Sequence, residues 1–449
     1  LIGYITLSFY LCKTTQDSMN IPYTNLPRLV IIGGGFAGVA LARNMIKEDV
    51  QLVLLDRHNY HTFQPLLYQV STSSLEPDSI AYPLRKIVKK GKNTFFRMAE
   101  VMSIDPKTQH VNTNIGNISY DYLVIATGAR TNFFGNTTIE SNAMRMKNLP
   151  QALNLRSLML ENLEQAVITT DTEKRKELLS FVLAGAGPTG VELAGGIAEL
   201  KLNVLPKDYP DMDFDDMEIH LIEGASRILP PMSENASEKA TKFLEKIGVH
   251  IHTNTQVQNY ENNLVTTNTD LSLKTATFIW SAGVTGAPVS GINAESLIPR
   301  ANRYKVNEYN QIDGYDTIFA IGDISVMETE GYPKGHPMVA QPAIQQGKHL
   351  AKNLKRHLKN KPMIPFKYFD KGSMATIGRN KAVVDLGKFR FGGFFAWFIW
   401  MFIHLWFLVG FRNRFVTFFN WVYNYINYDK AARLIVRPFK NKDYTRESV

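Results

Sequence analysis

The sequence predicts an α/β protein with two Rossmann-like dinucleotide-binding domains, one inserted in the other, and a C-terminal membrane-associating helical segment. Three observations carry this. Two glycine-rich fingerprints each close an apolar strand-like run: Val30-Ile31-Ile32-Gly33-Gly34-Gly35-Phe36-Ala37-Gly38 and Val182-Leu183-Ala184-Gly185-Ala186-Gly187-Pro188-Thr189-Gly190. Apolar runs ending in small-residue turns recur at Ala126-Thr127-Gly128, Ala282-Gly283 and Gly322-Asp323, so the first sheet resumes after the second. The last stretch is crowded with Phe and Trp and carries the chain's net charge. A lone G-x-G-x-x-G is weak, but two that are strand-flanked and helix-followed imply two bound dinucleotides.

Taken in order, Leu29–Ile32 reads as a buried parallel strand, Val39–Lys47 as the helix after it, and Gln51–Leu55 as a second strand ending at Asp56. Asp56 lies 23 residues after Gly33, the spacing of a carboxylate that holds an adenosine ribose; a solvated strand-end charge is the alternative. Tyr122–Gly128 is a further strand and turn, and Met144–Ala166 reads as a helix leading to the second unit. There Phe181–Ala184, Val191–Leu200 and Glu218–Ile222 repeat the strand–helix–strand pattern, ending at Glu223. Leu205–Asp216, with Pro206, Pro210 and five aspartates, reads as a surface loop that lengthens this repeat. Phe278–Gly283 and Ile318–Asp323 supply the last strands. These spacings predict a first nucleotide domain over 26–145 and 285–365, a second inserted at 146–284, and a C-terminal domain over 366–449. Residues 1–25 are expected to be a disordered extension; Leu1–Leu11 is a poor signal peptide, and Met19 is a candidate start.

At each fingerprint the glycines let the backbone approach a pyrophosphate, and the helix N-terminus supplies free N–H groups and partial positive charge. Neither fingerprint ends in Lys-Ser/Thr, which argues against a P-loop nucleotidase. Glu223 would accept hydrogen bonds from a ribose 2′-OH and repel a 2′-phosphate, favouring NADH over NADPH. A carboxylate at Asp323 suits a ribityl hydroxyl of FAD, and it belongs to the domain of Gly33; FAD is therefore assigned there and NADH to Gly185–Gly190.

Composition narrows the chemistry. Cys12 is the one cysteine in 449 residues, which excludes intrachain disulfides, Cys-rich zinc sites and a redox cysteine pair; no metal is expected. The formal charge is +9, but thirteen Lys/Arg against four Asp/Glu from Lys371 onward account for all of it. That placement argues against nucleic acid as the partner.

The two fingerprints, Ala126-Thr127-Gly128, Ala282-Gly283 and Ile321-Gly322-Asp323 together resemble the two-dinucleotide flavoprotein reductases. Within these, Asp56-Arg57-His58-Asn59-Tyr60-His61-Thr62-Phe63-Gln64-Pro65-Leu66-Leu67-Tyr68-Gln69-Val70, Gly187–Gly195 and Ala340-Gln341-Pro342-Ala343-Ile344-Gln345-Gln346-Gly347 resemble the type II NADH:quinone oxidoreductases, over about Arg28 to Pro438. The resemblance implies FAD contacts at Gly33, Gly34, Gly35, Phe36, Ala37, Gly38, Asp56, Arg57, His61, Val101 (near the adenine), Thr127, Gly128, Asp323, Ala340 and Gln341. For NADH it implies Gly185, Gly187, Gly190, Glu223 and Gly283. Glu192 matches an acid that places the nicotinamide and delivers a proton, against an ordinary exposed helix residue; Gln341 and Gln345 match a quinone-tunnel pair, against plain helix surface for Gln345. The lack of cysteines near a flavin sets aside the sulfide:quinone and disulfide-reducing relatives.

Phe394–Phe411 is eighteen residues without a formal charge, about 27 Å as a helix, and Arg412 and Arg414 end it. Phe415, Phe418, Phe419, Val422 and Ile426 then recur at helical spacing with Asn420, Asn424 and Asn427 between them, and Lys430, Arg433, Arg437, Lys440 and Lys442 follow. A buried core helix, a single membrane span and interfacial insertion compete, and aromatics beside cations favour insertion. His404 is expected to be packed rather than a quinone ligand. The expectation is a monotopic NADH:quinone oxidoreductase that pumps no protons, on the cytoplasmic face of a bacterial inner membrane. Its quinone would be ubiquinone or menaquinone, its surface partner anionic lipid, and a homodimer is compatible. A soluble NADH oxidase or ferredoxin reductase, and a low-turnover signalling flavoprotein, are the alternatives.

Overall fold

The computed structural model describes residues 19–427 and 432–435. Of the expected disordered extension over 1–25, residues 1–18 with Cys12 lie outside the described residues, as do Lys430, Arg437, Lys440 and Lys442, whereas 19–25 are described and Met19 and Ile21 are buried. In chain order, the elements that matter begin with β1 (Arg28–Ile32), α1 (Phe36–Met45), β2 (Gln51–Asp56), β3 (Thr94–Met98), β4 (Tyr122–Ile125), β5 (Met144–Arg145) and α2 (Leu149–Ile168). Next come β6 (Ser180–Ala184), α3 (Pro188–Asn203), β7 (Glu218–Ile222), β8 (Val249–His252), β9 (Thr277–Trp280), β10 (Ile318–Ala320) and α4 (Ala340–His357). The chain closes with β11 (Ser373–Thr376), β12 (Ala382–Leu386), β13 (Phe389–Gly393), α5 (Phe394–Phe407) and α6 (Phe411–Asn427). Two compact units divide it. The first holds residues through His61, Pro83–Arg130 and Thr285–Asp370; the second holds Thr62–Tyr82, Thr131–Val284 and the chain from Lys371 on.

In the first unit, strands run in the order β10-β4-β1-β2-β3, all parallel. Leu29–Ile32, Leu52–Leu55 and Leu123–Ile125 are continuous apolar runs with essentially no exposure, as a sheet covered on both faces demands. Because every strand points the same way, Gly33, Asp56, Thr127 and Asp323 arrive at one edge of the sheet. Helices α1 and α4 close against each other at Gly347, where a Cβ would stand 2.4 Å from the Ala37 carbonyl oxygen. Met19 and Ile21 already pack into this core, ahead of β1.

The second unit repeats the plan. Its order is β5-β9-β6-β7-β8, with the fingerprint strand β6 third, as β1 is in the first sheet. Gly185, Glu223 and Ser281–Gly283 therefore share an edge. The helix after Met144 starts later than its apolar pattern indicates. Asn148 accepts a hydrogen bond from the Gln151 N–H and sets the start at Leu149, while Met144–Arg145 pairs with β9. Conversely, α1 begins earlier than the expected Val39, at Phe36 directly after Gly35, so that Gly38 lies inside the helix. The Leu205–Asp216 stretch is not wholly a surface loop: Leu205–Asp208 is a helical turn, and Leu205 and Phe214 are buried.

The eighteen-residue apolar run does not form one helix. Helix α5 ends at Phe407 and α6 begins at Phe411, with Gly410 between them at φ +95°. A Cβ on Gly410 would sit 2.5 Å from the Tyr82 ring. Arg412 and Arg414 consequently lie inside α6 and do not terminate the aromatic segment. No helix among the described residues is long and apolar enough to cross a membrane.

Candidate functional site

In the first unit, the turn after β1 is fixed by backbone geometry. Gly33 adopts φ +107°, where a Cβ would strike the Ala126 carbonyl oxygen at 2.3 Å, and a Cβ on Gly38 would lie 1.9 Å from Gly33 O. Gly35 differs: no atom comes within 4 Å of its Cβ position. As the N-cap of α1 it makes no side-chain cap, so the open space lies where the first N–H groups of the helix seek an acceptor. The Gly34 N–H donates to Asp56 Oδ2 at 2.6 Å, and the His58 N–H donates to Asp56 Oδ1 at 2.7 Å. His61 Nδ1 bonds Gly34 O at 2.9 Å; a carbonyl only accepts, so Nδ1 carries the proton and Nε2 is a bare acceptor. Nε2 is buried without a protein partner, and burial pushes the ring down to about 4. An open glycine cradle and an orphaned acceptor fit a dinucleotide with a donor group such as an adenosine.

Around the same edge, Thr127 Oγ1 donates to Ala287 O at 2.7 Å, and Gly128 takes φ +71°. Asp323 sits in a 3₁₀ turn, Gly322–Ile324, held by the side chain of Gln346, whose Oε1 accepts from the Gly322 N–H at 2.7 Å. Ala340 and Gln341 open α4; Val101 starts a neighbouring strand and is half-buried; Arg57 is exposed. Gln345 is committed to the backbone: its Nε2 donates to Phe369 O at 2.9 Å and its Oε1 accepts from the Phe369 N–H at 3.0 Å. The buried Gln346 was given no role by sequence reasoning. The signal was present, because helical period groups it with Pro342, Ala343 and Leu350 on the inward side.

The second unit builds the same cradle. Gly185 has φ +98° and abuts Ala282, a Cβ on Gly190 would lie 1.9 Å from Gly185 O, and Gly187 faces open space. Glu223 Oε2 accepts from the Ala186 N–H at 2.7 Å and its Oε1 from the Ala225 N–H at 2.9 Å. It thus stands where Asp56 stands in the first unit, despite the longer insertion. Gly283 lies under the Phe134 ring, which a Cβ would meet at 2.7 Å.

On α3 of this unit, Glu192 is buried rather than an exposed helix residue. Burial raises its carboxyl to about 8, opposed by the Thr376 N–H, 3.5 Å from Oε1, and by the indole of Trp400. Tyr68 is equally enclosed; burial and then the nearby Glu192 push its hydroxyl well above its usual range. Glu192, Thr189, Lys147 and Tyr68 line a cavity of about 90 Å³. His404 is a packed ring: Nδ1 bonds Trp400 O at 2.7 Å and the ring stacks on Trp400 at 4.0 Å. Trp400 and Thr376 come from some two hundred residues beyond Glu192, and no local pattern announces them.

Helix α6 is inside out. Three of its asparagines face the protein, while Asn427 is exposed: Asn413 Nδ2 donates to the carbonyls of Asp78, Ser79 and Ala81, Asn420 to the Glu76 carboxylate, and Asn424 to Ser74 O. Trp421 Nε1 donates to Gln69 Oε1 at 2.8 Å. The expected apolar face points outward, with Phe415, Phe419 and Ile426 exposed by 54%, 51% and 70%. On α5, Phe398, Phe402 and Trp406 are exposed as well. The reading of a buried core helix is thereby overturned.

Comparison with known proteins adds to this geometry. The pyridine nucleotide-disulphide oxidoreductase family matches residues 27–347, and the NDH2 C-terminal domain matches residues 371–427. The type II NADH:quinone oxidoreductase Ndh of Mycobacterium tuberculosis is 37% identical over 414 residues, 89% of this chain and 88% of that protein. The type II NADH:quinone oxidoreductase of Staphylococcus haemolyticus is 30% identical over 79% of this chain and 89% of its own length. Among solved structures, NDH2 from Plasmodium falciparum in complex with NADH superposes with a TM-score of 0.84 at 21% identity, covering 92% of this chain and 100% of that one.

Proposed function

The chain belongs to the type II NADH:quinone oxidoreductases, within the pyridine nucleotide-disulphide oxidoreductase family, and from that premise we propose how its residues divide the work. The enzyme oxidises NADH, uses FAD and reduces a quinone without pumping protons. FAD, when bound, accepts a hydride and passes on two electrons. The carrying observation is the repeated cradle, an open glycine at a helix N-terminus with a carboxylate on the preceding loop N–H, at Gly35/Asp56 and Gly187/Glu223.

The first cradle, Gly33–Gly38, receives the FAD pyrophosphate. Asp56, Arg57, His61 and Val101 serve the adenosine end; Thr127, Gly128, Asp323, Ala340 and Gln341 serve the ribityl chain and ring. Gly185, Gly187, Gly190, Glu223 and Gly283 hold NADH, and Glu223 disfavours a 2′-phosphate. Glu192, protonated at neutral pH by its burial, holds a proton for the substrate side. Gln341 and Gln345 border the quinone's way in, and Gln345 acts there through its clamp on Phe369.

The outward rings of α5 and α6 insert among acyl chains, with Arg412 and Arg414 at anionic headgroups. The enzyme then works at a membrane surface, on the face where NADH is available, the cytoplasmic one. Purified protein carrying a flavin spectrum should bleach with NADH and recover with ubiquinone or menaquinone. Flavin that bleaches but never recovers with either quinone would support the low-turnover signalling reading instead.

A further inference from the structure

Two cavities in the second unit share one wall. The larger, about 140 Å³, is bounded by Tyr68, Thr72, Glu199, Asn203, Arg379 and Trp400 among others, and Tyr68 also bounds the smaller cavity that contains Glu192. Helix α3 gives each cavity a carboxylate. Glu192 and Glu199 are seven residues apart, two turns, and so lie on one helix face. Gly196 lies between them and lets Thr72 approach the helix closely; a Cβ there would stand 3.0 Å from Thr72 Cγ2. Glu199 is half-buried, and its Oε1 accepts from the Arg379 N–H at 3.2 Å and its Oε2 from Asn203 Nδ2 at 3.1 Å.

Stoichiometry sets a demand on this region. NADH plus one proton plus quinone gives NAD⁺ and quinol: a C–H bond of the nicotinamide breaks, two O–H bonds form, and one of the two hydrogens comes from water. If Glu192 gives a proton in each turnover, its carboxylate must take one back. Glu192 is only 8% exposed, so the proton must reach it through the groups and cavities that border it.

We propose that the larger cavity is the proton-uptake passage for Glu192, with Glu199 taking protons from solvent and the Tyr68 hydroxyl passing them across the shared wall. The proposal rests on reading Glu192 as the proton-bearing group of the reaction. The passage is walled largely by apolar rings, with polar groups at intervals, and it has room for ordered water: at about 30 Å³ each, its 140 Å³ suits roughly five waters. Its polar lining includes Thr72, Ser74 and Asn424. Tyr68 is oriented for relay. The indole N–H of Trp421 can only donate, which fixes Gln69 Oε1 toward it and Gln69 Nε2 toward the Tyr68 oxygen, at 2.8 Å. The phenol oxygen thus accepts from Gln69 and keeps its own O–H to donate. Its raised pKa keeps it protonated throughout, so it hands on one proton as it receives another.

The test uses full-length protein and two readouts. By infrared difference spectroscopy, the protonated-carboxyl band that Glu192→Gln abolishes is followed on transfer into D₂O. This needs no turnover. Tyr68→Phe and Glu199→Gln should each slow its exchange at least about tenfold, and Glu199→Asp should restore it. Reoxidation by a short-chain quinone should slow in parallel, with a larger solvent isotope effect. Exchange at the wild-type rate in both variants overturns the passage, as does a raised quinone KM with unchanged exchange, which would make the cavity a ligand pocket. Wild-type quinone reduction by Glu192→Gln would instead overturn the underlying reading of Glu192.

Discussion

Glu223 accepts a hydrogen bond from the Ala186 N–H at 2.7 Å, across 37 residues, and so reproduces what Asp56 does for Gly34 across 22. The carboxylate is a structural part of the loop as well as the proposed ribose ligand. Glu223→Ala should therefore raise the KM for NADH by roughly 10- to 100-fold, the worth of about 1.5–3 kcal/mol for a hydrogen bond to a charged group. Bound flavin should stay at wild-type content. Steady-state kinetics and the visible spectrum check both halves, and flavin loss in this variant would contradict the assignment of nucleotides to loops.

The two glycine classes separate folding from binding. Gly35 has open space at its Cβ position and φ −72°, whereas a Cβ on Gly38 meets Gly33 O at 1.9 Å. Gly35→Val should fold normally by circular dichroism and purify without flavin. Gly38→Ala should lower Tm, by an overpacking cost of about 1–3 kcal/mol. If Gly35→Val retains stoichiometric FAD, the cradle is not the pyrophosphate site.

Glu192 ties stability to pH. Its folded pKa, about 8, lies above its ordinary 4.5, so the folded state binds the proton more tightly. Its contribution is therefore favourable at low pH and erodes as pH rises from 4.5 through 8. Glu192→Gln, which cannot ionise, should remove that erosion, with Tm falling less between pH 6 and pH 9 than in the wild type. Quinone turnover should decline above about pH 8 in the wild type, and the variant should be slow with that limb flattened. An unchanged alkaline limb in the variant would assign the titration to another group.

Membrane attachment should depend on the outward rings. Phe415→Ser combined with Phe419→Ser removes two exposed phenylalanines from an apolar medium, at about 1.5–3 kcal/mol each, and should weaken vesicle cosedimentation at least about hundredfold. Vesicles of neutral lipid alone should bind the wild type less well than vesicles with anionic lipid. Undiminished binding by the double variant would remove α6 from the membrane contact.

Asn413 donates to three backbone carbonyls, so Asn413→Ala leaves buried acceptors unpaired. Destabilisation of about 1–3 kcal/mol is expected, read as a lower Tm in detergent. A Tm equal to wild type would show that the helix is held elsewhere.

What the sequence discloses follows from where chemistry is local. Glycines that must avoid backbone oxygens, and carboxylates at strand ends, are legible because their constraint lies within one strand–turn–helix unit; Asp56 and Glu223 were found on that ground. Glu192 was legible as a motif residue but not as a buried acid, because Thr376 and Trp400 enclose it from far along the chain. Gln345 was visible and Gln346 overlooked, although the inward one holds the Gly322 turn. Periodicity revealed both faces of α6, but it could not say which face meets the protein, since a pattern of polarity carries no information about the surrounding medium.

Because α6 docks through three asparagines and Trp421 and leaves its phenylalanines outward, two properties that usually travel together are separated. Apolar docking is forgiving: a helix held by oily packing can slide or roll at modest cost. Asn413, Asn420 and Asn424 allow no such slippage, since displacement by one turn would strand every acceptor they serve, the Glu76 carboxylate included. At the proposed membrane contact, grip on the lipid would follow the number of exposed rings, and alignment the three asparagines that face the protein. Strength of adhesion and angle of presentation can then drift independently under selection, and an engineer can retune either one alone.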